Sequence, residues 1–94
     1  MQPTARAAEF ASFPMCDLPV GGKGTITEFS LPVSAQEYLM RLGFVPGSEV
    51  EMVRKLPFHG PVIFRTQGAE IAIRHEVAKG IFVSMAALKE EGTR

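Results

Sequence analysis

The sequence holds one cysteine and two histidines, Cys16, His59 and His75, and these are its only candidate nitrogen or sulfur ligands for a metal. No C-x-x-C pair, no H-x-x-x-H on a helix and no close cluster of carboxylates accompanies them, so their spacing carries no metal signature. His59 is expected in an exposed loop, His75 at the opening of a helical turn, and Cys16 near a strand start. The expectation is therefore no metal and no cofactor. "GGKGT", residues 21–25, departs from a phosphate-binding loop because Gly24, not Ser or Thr, follows Lys23. It reads as a flexible turn into a strand. Cys16–Asp17 and His75–Glu76 are sequence neighbours, and nothing marks a nucleophile held by an oriented base. The chain is not expected to be an enzyme.

Binding chemistry is better represented. Arg54, Lys55, Arg65, Arg74 and Lys79 would suit a nucleic-acid surface, but Glu49, Glu51, Glu70 and Glu76 interleave with them. Stacking aromatics on the same segments are sparse, with Phe64 expected in the core. Ten basic and ten acidic residues balance, so no long-range field draws in phosphate backbones or anionic lipid. A small nucleic-acid-binding barrel stays as an alternative reading, and nucleic acid is not the expected partner. Large apolar groups point to protein contact. Met40 lies off the apolar stripe of its helix with Phe44 four residues on, which suggests an outward pair, and Phe58 stands between Pro57 and His59. Pro57 and Pro61 bracket that loop and limit the entropy lost when it docks. The candidate partner-binding residues are Met40, Phe44, Pro57, Phe58, His59 and Pro61.

These residues need a scaffold. Thr25, Ile26, Thr27 and Phe29 favour a strand after the glycine-rich turn. Ser34 and Glu37 form a capping-box pattern, and Ala35, Tyr38, Leu39 and Leu42 give one apolar helical stripe that Gly43 ends. Glu49 to Leu56 alternates as a strand with Val50 and Met52 on one side. Pro61–Thr66 and Glu70–Arg74 are two further strands joined by a tight Gln67–Gly68 hairpin, with Ile71 and Ile73 inward. "HEVAKG" reads as one helical turn, and Ile81–Met85 as a last strand. About five short strands with one helix after the first suggest a small closed β-barrel, since closure hides edges that would otherwise aggregate.

In a 94-residue chain, 46% apolar and 21% charged, one modest core is expected. Residues 1–16 lack periodicity and read as a mobile N-terminal extension, residues 17–85 as the barrel, and residues 86–94 as a polar tail. Glu9 interrupts any signal-peptide core, and Met15 stands where lipoprotein cleavage needs a small residue. The longest nearly apolar run, from Ile81 to Leu88, is far short of the roughly 20 residues that span a bilayer, so direct membrane insertion is not expected. A lone thiol fits a reducing compartment, and the expected location is the cytoplasm.

Four segments, "LPVGGKGTI", "LMRLGFVPGSEVEM", "LPFHGPVIF" and "GAEIAIRHEVAKGIFV", occur in an order and spacing that resembles the FeoA family, ferrous iron transport protein A. The resemblance implies an SH3-like barrel and an accessory or regulatory role in bacterial ferrous iron uptake. The implied partner is the large membrane subunit FeoB, which carries a cytoplasmic GTPase domain. A ferrous metallochaperone is a further alternative, and self-association through the loops stays open. SH3-like barrels also end repressors of the diphtheria toxin repressor type, but this sequence lacks an accompanying helix-turn-helix segment. It departs from the family at Tyr38, where arginine is frequent, and at Phe58, His59 and Gly60, where the loop more usually has a small apolar residue, glycine and an acidic residue.

Overall fold

The computed structural model describes residues 12–85. Most of the expected N-terminal extension and the whole polar tail lie outside them. Six strands form a single antiparallel sheet: β1 (Phe13–Pro14), β2 (Lys23–Phe29), β3 (Glu49–Lys55), β4 (Val62–Thr66), β5 (Ala69–Ile73) and β6 (Ile81–Met85), in the order β1-β6-β2-β3-β4-β5. A 3-10 turn covers Met15–Asp17, helix α1 spans Val33–Arg41 between β2 and β3, and the short helix α2 spans His75–Ala78 between β5 and β6. This is the mainly β, SH3-like architecture that the segment pattern implied.

Two details differ from the expected barrel. The sheet is not closed, because β1 and β5 end the strand order and do not pair with each other. Bulges bend it instead: β2 shifts register against β6 between Ile26 and Glu28, and β3 shifts against β4 between Met52 and Arg54. Each bulge puts an extra residue on one strand and increases the local twist. The bent sheet wraps a core of Ile26, Val50, Met52, Phe64, Ile81 and Val83. The second difference is at the start. Phe13 and Pro14 pair with Val83 and Phe82, and Met15 and Leu18 are fully buried. The ordered unit therefore begins before Asp17, because Met15 fills core space that the strands leave empty.

Helix α1 starts one residue before the expected serine. Pro32 holds the N-cap position, no side chain caps the helix, and Ser34 and Glu37 form no capping box. The Gln36 side chain instead turns back, donating from Nε2 to the Leu31 carbonyl at 2.7 Å. Leu31 packs so tightly on the α2–β6 junction that a Cβ on Gly80 would come within 2.5 Å of its Cδ2, which fixes where the chain enters the helix.

At the other end Gly43 takes φ +103°, the left-handed conformation that glycine adopts most readily. Gly43 N–H donates to the Met40 carbonyl at 3.1 Å and Phe44 N–H to the Leu39 carbonyl at 3.0 Å, the two bonds of a Schellman motif. That reversal swings Phe44 under the helix beside Leu39, and both side chains are buried. The expected outward pair of Met40 and Phe44 thus does not form.

Two hairpins complete the frame. β4 and β5 pair in full register from Val62 opposite Ile73 to Thr66 opposite Ala69, turning at Gln67 (φ 53°) and Gly68 (φ 82°). Positive φ at both central residues matches the twist of the strands, as in a type I′ turn. Ile73 faces the core and Ile71 packs against its margin, as the alternation predicts. The second hairpin joins β3 to β4 and carries most of the candidate contact residues.

Candidate functional site

In that second hairpin Leu56 N–H donates to the Pro61 carbonyl at 3.2 Å, and Gly60 N–H to the Pro57 carbonyl at 3.1 Å. The central residues Phe58 and His59 have φ of 60° and 56°. This is again the type I′ pattern, here without the Asn or Gly that normally occupies it. Each bulky residue in the left-handed region costs about 1–2 kcal/mol. Gly60 permits the tight closure, since a Cβ there would meet the Pro57 carbonyl oxygen at 3.0 Å. The result is a stiff turn between two exposed prolines that holds Phe58 outward, with 96% of its surface exposed.

Pro57, Phe58, His59 and Pro61 are therefore brought together, whereas Phe44 leaves the set for the core. Met40 lies on the outer side of α1 and is 42% exposed. Tyr38, expected on the inner stripe, is 56% exposed and lines a shallow groove of about 180 Å³ with Leu39, Ala72, Ile73, Arg74 and Val77. Helical periodicity had placed it inward because Leu39 and Tyr38 both fall within a broad apolar stripe; only Leu39 reaches the core.

The two histidines meet. The rings of His59 and His75 lie with centroids 4.9 Å apart at an interplanar angle of 62°. Sequence distance concealed this pairing, which depends on the β3–β4 turn folding over the start of α2. No group of three or more His, Cys, Asp or Glu residues suited to a metal ion occurs among the described residues, so Cys16 does not join the histidines. Cys16 is buried, its Sγ 3.9 Å from Asp17 Oδ1. Burial pushes its thiol pKa up, and the neighbouring Asp17 charge adds to the rise. A thiol held neutral is a poor nucleophile and a poor ligand.

The basic residues are partly engaged as well. Arg65 donates to Glu70 Oε2 at 2.6 Å and to Glu51 Oε1 at 3.0 Å, and these bonds raise its pKa further above its usual value. One of the five cations considered for nucleic-acid contact is thus committed to carboxylates across adjacent strands. No helix among the described residues is long and apolar enough to cross a membrane.

Comparison with known proteins places this geometry. No curated protein sequence matches the chain significantly. Among solved structures, a FeoA protein from Chlorobium tepidum is 25% identical with a TM-score of 0.75, covering 86% of this chain and 80% of its own. An iron(II) transport protein A from Clostridium thermocellum is 27% identical with a TM-score of 0.74, covering 79% of this chain and 46% of its own. A manganese-dependent transcriptional repressor shares the fold at 17% identity and a TM-score of 0.72, over 79% of this chain and 41% of the repressor. The family model described as the FeoA domain matches residues 13–85, the same span over which the strands pair and the core closes. With that match covering most of its length, the chain belongs to the FeoA family.

Proposed function

We propose that this protein is a cytoplasmic accessory and regulatory component of bacterial ferrous iron uptake, acting by docking onto a FeoB-type membrane GTPase. Family membership relates the chain to ferrous iron transport, and it is similar to an iron(II) transport protein A. The docking role rests on one observation above the others. Phe58 is 96% exposed at the tip of a turn that holds it there at a conformational cost. A soluble surface gains nothing from such an arrangement, whereas interface centres use rigid aromatic anchors.

The protein would act by binding and not by catalysis. To regulate, it must bind one state of the GTPase more tightly than another, because equal affinity for both states shifts nothing. Co-purification with the membrane protein tests the contact. Phe58→Asp should abolish it while leaving the circular dichroism spectrum unchanged; retention of the partner by this variant would exclude the turn as the docking surface. The nucleic-acid alternative makes a different forecast, a complex that weakens steeply with added salt as counterions are released.

A further inference from the structure

Strand β5 (Ala69–Ile73) ends the sheet, and no strand pairs with its outer side among the described residues. The opposite end is blunted, because β1 is two residues long and finishes in Pro14, whereas β5 contains no proline. In a two-residue hairpin the residues flanking the turn form a hydrogen-bonded pair and the pattern alternates from there. Ala69, Ile71 and Ile73 therefore turn their backbone polar groups to β4, while those of Glu70 and Ala72 point outward. Arg74 continues the extended backbone (φ −61°, ψ 144°), so its N–H falls on the outward side, while its carbonyl accepts from Val77 and Ala78 at 3.0 and 2.9 Å. We propose that this edge pairs with the same edge of a second copy of the chain, antiparallel about a twofold axis at Ala72, to give a dimer with one continuous sheet.

Charge and shape select that register. With Ala72 opposite the partner's Ala72, each Glu70 lies opposite an Arg74 and each Ile71 opposite an Ile73. Opposite charges facing across an antiparallel pair attract, and like charges repel. Arg74 is exposed and forms no ion pair among the described residues, and Glu70 gives Arg65 only its Oε2, so both can take part. Ala72 is exposed too, so α1 leaves the middle of the edge open, and its small side chain lets two backbones approach. Each Ala72 N–H then donates to the opposite Ala72 carbonyl, and each Arg74 N–H to the opposite Glu70 carbonyl. On the core side, the partner's Ile71 meets Ile73 in the groove walled by Tyr38 and Leu39 of α1 and Val77 of α2. A five-residue edge is small beside the roughly 800 Å² per partner of a standard interface, so the dimer is weak and concentration-dependent. Phe58 has no part in it, and the proposal stands apart from the docking role.

Sedimentation equilibrium of the full chain over a concentration series at low salt tests this. The weight-average mass should climb from that of the monomer toward twice that value. Arg74→Glu sets a like charge opposite Glu70, and Glu70→Lys sets one opposite Arg74, so each variant alone should weaken association at least about fivefold. An equimolar mixture of the two restores both attractive pairs in the heterodimer and should return to within about twofold of wild type. Ala72→Pro removes an outward N–H without touching the bonds to β4 and should be monomeric. A wild type that stays monomeric throughout overturns the proposal and leaves the edge to an extended segment of another protein. Unchanged association in both charge variants, or a mixture no tighter than its components, overturns it as well. Should Ala72→Pro fail to fold, the charge variants, whose sites are exposed, still decide the matter.

Discussion

The side chain that departs furthest from thermodynamic convenience is Phe58. It lies almost wholly in solvent with φ of 60°, next to His59 at φ 56°. Asparagine tolerates that conformation far better, so Phe58→Asn should stabilise the fold by about 0.5–1 kcal/mol and raise the melting temperature by a few degrees. Loss of docking in the same variant would show that stability has been given up for contact; a lower melting temperature would mean that the phenyl ring supports the fold. The two prolines and the glycine of "LPFHGP" made a tight loop legible in the sequence. Its handedness was not, because a phenylalanine at the first central position gives no signal for left-handed backbone. Cys16 gives a second residue-scale forecast. Its folded pKa lies above the ordinary 9.0. Below that value the thiol is neutral in both states, so its contribution to stability is fully present. As pH rises past it, the unfolded chain gives up its proton first and stability falls. Chemical denaturation between pH 7 and 10 should show a steeper alkaline loss for the wild type than for Cys16→Ala, and parallel profiles would contradict the burial of the thiol.

Elements in this protein are held by their ends. The glycine that stops α1 was readable from position 43, but periodicity ends with the helix and cannot say where the next side chain goes. Schellman geometry decides it, sending Phe44 inward beside Leu39. Gly43→Ala should cost about 1 kcal/mol through its φ of +103° alone, measurable as a lower denaturation midpoint with an unchanged slope. The opposite terminus shows why local patterns can mislead. A serine with a glutamate three residues later is a good capping signal, yet Leu31 and Pro32 set the entry and the helix starts with no side-chain cap, the Gln36 side chain instead tying back to the Leu31 carbonyl. β1 was illegible for a related reason: a two-residue strand ending in proline has no periodicity, and only the space it fills reveals it. Met15→Ala, which empties part of that space, should destabilise the protein by about 2–5 kcal/mol. A change below 0.5 kcal/mol in thermal unfolding would mean that the segment is dispensable.

At the scale of the whole molecule, alternation and turn chemistry made the antiparallel strands and the Gln67–Gly68 hairpin legible, while the open edges at β1 and β5 were not. Bulges in β2 and β3 supply curvature that closure was expected to provide, and sequence alternation carries little trace of a single extra residue. Of the candidate site, the exposure of Phe58 was legible; the meeting of His59 with His75 required the fold. Balanced charge and the commitment of Arg65 to Glu51 and Glu70 favour recognition by shape over recognition by field. Accordingly, labelled RNA or DNA should show no mobility shift even at low salt, and a salt-sensitive shift would restore the nucleic-acid reading. The most direct test of the docking surface is the equilibrium affinity between this protein and the cytoplasmic GTPase portion of a FeoB-type partner, measured for wild type and Phe58→Asp. An aromatic anchor predicts a loss of at least about 2 kcal/mol, roughly 30-fold in Kd, with the fold intact. Equal affinities for the two proteins would contradict it.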